Sequence, residues 1–194
     1  MKSVGILIPV ANEQNTIESF TSCLLKEVSE LDNYEIYIFY IMDSYSKDET
    51  QNILKNKFSD SVNILFHEES TGLVSSYIYG YKHCLEENYD YIIEMDSGFS
   101  HKPEHLKEFL SRLDAGDDAV FATRFSKDSL YKATFFRKLV SRLGTIMANF
   151  WLDMNFNDAT SGFQAFRREV LVDLEFDKFI SYGGMFQTEI KYYV

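Results

Sequence analysis

The feature that most restricts this chain is an alternation. Apolar runs of strand length at residues 4–10, 34–42, 62–66, 91–95 and 118–123 are separated by segments with helical periodicity. The first helical segment places Ile17, Phe20, Leu24, Leu25, Val28 and Leu31 on one face. The second carries Ile53, Leu54 and Phe58, the third Val74, Ile78, Tyr81 and Leu85, and the fourth Leu106, Phe109, Leu110 and Leu113. Strands alternating with helices at this spacing specify right-handed βαβ units and a mostly parallel sheet covered by helices, a three-layer α/β/α arrangement. Asn12 or Asn15 is expected to cap the first helix. The pattern brings every loop that follows a strand to one edge, where open α/β sheets hold ligands.

Three of those loops carry acids: Glu13, Asp43 and Asp96. The third is the most telling. Tyr91, Ile92, Ile93 and Met95 form a β-favouring run that stops at Asp96-Ser97-Gly98, and Pro103 is placed to open the next helix in its first turn. A carboxylate there either caps a turn or faces a ligand. Three converging acids suit a hydroxyl-rich or metal-bound ligand, although each alone also suits a solvated helix start.

With 194 residues, 45% hydrophobic and 16% aromatic, the chain fits one compact domain spanning 1–194, with a large core. A formal charge of −11 speaks against a nucleic-acid partner. Cys23 and Cys84 sit in apolar-periodic segments without CxxC spacing and read as buried free thiols in a reducing compartment. No leader pattern follows Met1, and no apolar run has the length of a membrane span, so the expectation is a cytoplasmic protein. There is no GxGxxG after the first strand, no GxxxxGK[ST], no HExxH and no GxSxG, which argues against a dinucleotide fold, a P-loop, a structural zinc site and a serine hydrolase. His101 reads as a surface histidine at a helix start, with a site-facing role as the alternative.

After Thr123 the alternation ends. Residues 134–152 form a long amphipathic pattern with an apolar stripe of Phe136, Leu139, Val140, Leu143, Ile146, Met147 and Phe150, edged by Arg137, Lys138 and Arg142. It reads as a core helix with a solvated face; the alternative is a helix lying on a membrane surface beside a lipid phosphate. The loop 157–163 follows, then a short strand at 164–168, the start of a helix at 170–174, a hinge at Tyr182-Gly183-Gly184 and a further helix from Phe186.

Taken in order, these stretches resemble family 2 glycosyltransferases of the GT-A fold, and within them the dolichol- or polyprenol-phosphate mannose synthases. Ile8-Pro9-Val10-Ala11-Asn12-Glu13 is similar to the family's IPxxNE loop, and residues 42–50 to its DDxSxDGT element. Gly72-Leu73 with residues 77–84 resembles GLG…YxxGxxHA. Asp96 to Glu104 lies where the family has DADLSHxPE, and Thr123-Arg124 matches its GTR. Residues 137–142 resemble RxxxSR, residues 158–163 with Arg167 resemble DxTSGFRxYRR, and Phe186-Gln187-Thr188-Glu189 resembles FQxEM.

The resemblance implies inverting transfer from a GDP- or UDP-linked sugar to a polyprenyl-phosphate or sugar acceptor. It implies donor contacts at Pro9, Val10, Asn12, Glu13, Asp43, Gly72, Asp96, Ser97 and Gly98. Asp96 would hold Mg2+ or Mn2+. Arg124, Arg137 and Arg142 would position an anionic acceptor, with Ser161, Gln187 and Glu189 nearby, and Asp158 would serve as base for a hydroxyl acceptor. The sequence departs from the family at Gly98 and Ser44, where acids are usual, at Ser100, where some relatives have glutamine, and at Val74, where the family has a glycine. The family's chains usually continue beyond the FQxEM helix. These departures give a second reading, a non-catalytic scaffold with the same fold. A nucleotidyltransferase is a third, weakened by the absence of a glycine- and lysine-rich first loop.

Overall fold

The computed structural model describes residues 1–125 and 135–194; at 135, 137 and 138 the backbone alone is described. Six strands form one sheet: β1 (Lys2–Val10), β2 (Tyr34–Asp43), β3 (Asn63–His67), β4 (Tyr91–Glu94), β5 (Ala119–Phe121) and β6 (Gln164–Arg167), in the order β3-β2-β1-β4-β6-β5. β1 pairs in parallel with β2 along its whole length and with β4 from Val4 to Leu7 on its other side. The helices are α1 (Ile17–Val28), α2 (Thr50–Phe58), α3 (Leu73–Glu86), α4 (Leu106–Asp114), α5 (Phe135–Trp151), α6 (Arg168–Leu171) and α7 (Phe186–Tyr193).

Side-chain alternation along the strands divides the core between the two sheet faces. Val4, Ile6, Ile8 and Val10 of β1 meet Phe20 and Leu24 of α1 and Phe109, Leu110 and Leu113 of α4. Leu7 points the other way, with Phe39, Ile41, Tyr77, Tyr81, Phe166 and Phe186. A Cβ on Gly5 would come within 2.6 Å of Cys84 Sγ, so β1 and α3 approach closely only because residue 5 has no side chain. Cys84 is buried there as a free thiol, as its periodicity implied; Cys23 is half-buried.

Two local expectations change. The first helix is preceded by Thr16, not by Asn12 or Asn15, and no side chain caps it; Asn12 has φ 57 and bonds elsewhere. Pro103 opens a short 3-10 turn, Pro103–His105, that leads into α4. The sheet is mostly parallel, as expected; β6 lies between β4 and β5, antiparallel to both. A strand returning after α5 can enter the sheet antiparallel without a further crossover.

The largest change concerns α5. Its packed side consists of Gly144, 3.6 Å from Thr160 at the Cβ position, together with Thr145, Ala148 and Asn149. The Thr145 hydroxyl accepts from Ala159 N (3.2 Å), and the Asn149 amide bonds Phe156 N and O at 3.1 and 2.9 Å. The small and polar residues therefore face the protein. The apolar stripe faces out, with Ile146 62%, Phe150 77% and Trp151 74% exposed. α5 is thus not a core helix with a solvated polar face.

Candidate active site

The carboxyl ends of β1, β2, β3 and β4 share one edge, as parallel pairing requires. β5 runs in the same sense because two antiparallel steps restore direction, so Arg124 also reaches this edge.

On the β1–β2 side, two loops are stitched together. Asn12 N donates to Ser46 Oγ (3.1 Å), Asn12 Nδ2 to Tyr45 O (3.3 Å), and Lys47 N to Asn12 Oδ1 (2.9 Å). Glu13 N donates to Thr50 Oγ1 (2.7 Å), and Gln14 N to Asp48 Oδ2 (3.0 Å). The left-handed backbone at Asn12, which asparagine tolerates better than most residues, turns its side chain toward the second loop. Asn12 therefore positions the loop containing Asp43, and the Glu13 carboxylate accepts from Thr16 Oγ1 (2.7 Å). Asp43 itself accepts from Tyr45 N (2.9 Å) and lines a cleft of about 220 Å³ with Met42, Ser44, Gln51, His67 and Glu68. His67 stacks on Tyr79 at 4.6 Å between ring centres, which braces one wall. Pro9 and Val10 are buried in β1 and act through the loop that they launch. Gly72 immediately precedes α3 at φ 121, a conformation that a side chain would strain although the space beside it is open.

Asp96 stands just beyond β4. The Tyr77 hydroxyl donates to Oδ1 (2.9 Å), His101 Nε2 lies 3.5 Å from Oδ2, and Asp96 N donates to His101 Nδ1 (2.9 Å). His101 is buried against Phe163, ring centres 5.2 Å apart, so the expectation of a surface histidine is corrected. Burial lowers the pKa of its imidazole, and the opposing pull of Asp96 only partly offsets this. Asp96 keeps 48% of its side chain exposed. Ser97 is buried beside it, and a Cβ at Gly98 would find only Ser100 Oγ, at 3.9 Å.

Arg124 and Asp158 form the second centre. Nε donates to Oδ2 and Nη2 to Oδ1, both at 2.8 Å, and Arg124 N adds a third bond at 3.0 Å. Burial alone would raise the pKa of Asp158; the Arg124 bonds and charge outweigh it and hold the carboxyl below its ordinary value. An ionised carboxylate bound in this way is a poor proton acceptor, so the geometry argues against Asp158 as a base. The Phe125 ring lies 5.9 Å from the Arg124 guanidinium and 5.2 Å from that of Arg142, bringing a residue of α5 beside the pair. Arg137 lies in α5, but its side chain is outside the described residues.

Of the three residues expected to contact the acceptor, Gln187 and Glu189 are committed to internal bonds. Ser161 is buried, and its carbonyl accepts from Lys191 Nζ (2.6 Å). Gln187 is buried with its amide on Glu94, and Glu189 accepts from Ile180 N (3.1 Å) and Ser181 N (3.0 Å). Gln187 and Glu189 hold the wall of the site, their polar atoms spent on internal partners, whereas Ser161 Oγ is buried without a hydrogen-bond partner among the described residues. The cluster around Glu94 was missed. This fully buried acid takes bonds from Tyr81 (2.6 Å), Gln164 (3.0 Å) and Gln187, with Lys191 behind. Burial raises its pKa and lowers that of Lys191. An acid inside an apolar strand run, Tyr91-Ile92-Ile93-Glu94-Met95, was its one visible signal.

Among the described residues no three His, Cys, Asp or Glu side chains converge to hold a metal ion. Mg2+ is usually held by one or two carboxylates plus substrate phosphates. The open side of Asp96 fits that kind of shared ion.

Residues 5–174 match the model of "Glycosyl transferase family 2", and the chain belongs to this family. It is 28% identical over 188 residues to the undecaprenyl-phosphate mannosyltransferase of Micrococcus luteus, covering 96% of this chain and 75% of that protein. It is 31% identical over 132 residues to the polyprenol monophosphomannose synthase of Mycolicibacterium smegmatis, covering 68% of this chain and 50% of that protein. The structure of glucosyl-3-phosphoglycerate synthase from Mycobacterium tuberculosis with UDP superposes with a TM-score of 0.69 at 17% identity, over 98% of this chain and 64% of that one. The same enzyme with Mn2+, UDP and phosphoglyceric acid gives 0.64 at 16% identity, over 98% and 63%. The chain thus spans less than two thirds of that structure and half of the second curated relative. The shared architecture is the mostly parallel α/β sheet expected from the alternation.

Proposed function

We propose that the chain transfers a sugar, with inversion, from a nucleoside-diphosphate sugar to a polyprenyl phosphate. The observation that carries this reading is the division of one sheet edge into two parts. One is acidic, with Asp43 lining its cleft and Asp96 just beyond β4; the other is a cationic centre at Arg124 and Arg142, bordered by the exposed apolar face of α5. The donor nucleoside lies along the stitched loops, with its base at the Asp43 cleft. Its diphosphate reaches Asp96, which would hold a divalent cation; such an ion would supply the positive charge that offsets the leaving group. The two relatives named for polyprenyl-phosphate chemistry support the acceptor assignment.

A phosphate acceptor is already anionic and attacks without a base. That agrees with Asp158 being occupied by Arg124. Asp158 then orients the guanidinium, which with Arg142 draws the acceptor phosphate into line. The lipid chain runs along α5, whose apolar stripe lies on the bilayer surface with its arginines toward phosphate headgroups. On this reading the protein works peripherally, at the cytoplasmic face of a membrane. No helix of the described residues is long and apolar enough to cross one.

Calorimetric titration with GDP, UDP and their sugars, with and without Mn2+, tests the reading. Metal-dependent binding of one nucleotide sugar, transfer to polyprenyl phosphate and loss of both in Asp96→Ala are expected. The absence of binding across the panel would refute it. Gly98 motivates the second reading, a scaffold that binds without turnover; robust transfer by the unaltered chain would eliminate that one.

A further inference from the structure

Asp96 is the sole acid of its turn, since residue 98 is glycine. A single carboxylate on a loop normally samples several rotamers, and each rotamer presents its lone pairs differently. Here both oxygens have inner neighbours. Tyr77 is 1% exposed and donates its hydroxyl proton to Oδ1 at 2.9 Å. His101 is 5% exposed, accepts the Asp96 N–H at Nδ1 (2.9 Å) and turns Nε2 toward Oδ2 at 3.5 Å. The acceptor role of Nδ1 assigns the proton of the neutral ring to Nε2, the nitrogen that faces the carboxylate.

Both groups are themselves fixed. The Tyr77 ring stacks on Phe186 of α7, centres 5.8 Å apart and planes 7° from parallel. The His101 ring stacks on Phe163, which packs on Phe109 of α4 at 4.5 Å. Phe163 closes the same 158–163 loop that carries Asp158, the partner of Arg124. The inner side of Asp96 is therefore tied to α3 and to the acceptor loop, while its outer side faces solvent.

We infer that Tyr77 and His101 are positioning residues that lock Asp96 in one orientation, so that a lone carboxylate serves the donor's cation where two acids would otherwise share the task. His101 further couples that orientation to the 158–163 loop. The inference rests on the donor-site reading above. Outer partners that orient a metal-binding carboxylate typically change metal affinity about 10- to 100-fold when removed.

The test measures Mn2+ affinity by electron paramagnetic resonance in the presence of GDP or UDP, whichever the unaltered chain binds. Tyr77→Phe and His101→Ala are expected to weaken Mn2+ binding by about tenfold or more. His101→Gln keeps a donor near the Nε2 position and His101→Asn keeps an acceptor near Nδ1, so each is expected to recover part of the loss. Urea unfolding of every variant guards against simple loss of structure. Unliganded stability is then compared in a cycle combining Tyr77→Phe with Asp96→Ala, which removes the acceptor; a positioning bond makes the two changes non-additive, because the second removes nothing further. Additive effects together with unchanged Mn2+ affinity overturn the positioning roles while leaving the donor site standing. If the unaltered chain binds no Mn2+–nucleotide, the donor-site reading falls and this inference with it.

Discussion

Removing the arginine of the Arg124–Asp158 pair should expose its worth directly. Asp158 has no exposed side-chain surface and Arg124 has 19%, so the pair is mostly shielded from water. In Arg124→Met the carboxylate loses two side-chain bonds of 2.8 Å and the ion pair that they make, but it keeps the residue 124 backbone N at 3.0 Å, Thr160 N at 3.3 Å and Thr160 Oγ1 at 3.2 Å. Breaking a buried pair costs ~3–5 kcal/mol, and the three retained bonds put this case at about 3. For a chain of this size that lowers the melting temperature by roughly 6–12 °C. Far-UV circular dichroism in urea is the suitable assay, since the single tryptophan, Trp151, is largely exposed and reports weakly on the core. Adding Asp158→Leu to Arg124→Met should restore most of the loss, because an apolar pair leaves no buried charge unpaired. The pH dependence carries the same sign. The folded-state pKa of Asp158 lies below its unfolded value, so the stabilisation is complete above the unfolded value and is lost as pH falls through the folded one. Without Arg124, burial is left to raise that pKa, and acid unfolding should begin at higher pH. A loss under about 1 kcal/mol, or a double variant no more stable than the single one, would refute the reasoning.

Other outcomes follow from the same geometry. Gly98→Asp has room for its Cβ and should tighten Mn2+ binding with nucleotide roughly tenfold, read by calorimetry; unchanged affinity would mean that residue 98 does not face the ion. Ile146→Glu with Phe150→Glu should abolish co-sedimentation with anionic vesicles while leaving unfolding within about 0.5 kcal/mol per site, because both side chains are exposed. Asn12→Ala should cost ~1–2 kcal/mol and weaken nucleotide binding through the Asp43 loop. Asn12→Gly should recover the part due to backbone strain but not the lost side-chain bonds, a difference that urea titration can resolve.

Periodicity carried the layered α/β/α fold, because runs of period two and helical faces are local properties that the chain cannot satisfy any other way. It also carried the shared edge where Asp43 and Asp96 stand, since parallel strands must end together. Tertiary structure alone decided what each polar atom does. The Asn12 motif became a stitch between loops because its left-handed backbone turns the amide sideways. Asp158 became an anchor once Arg124 arrived from β5, an edge strand two positions from β4 in the sheet. His101, two residues before Pro103, looked like surface until Phe163 folded over it from more than sixty positions away in the chain. The apolar stripe of α5 was legible, but its direction was not. Hydrophobic periodicity fixes which residues share a helix face, and only the packing of Gly144, Thr145, Ala148 and Asn149 against the 156–160 segment determined that this face looks outward.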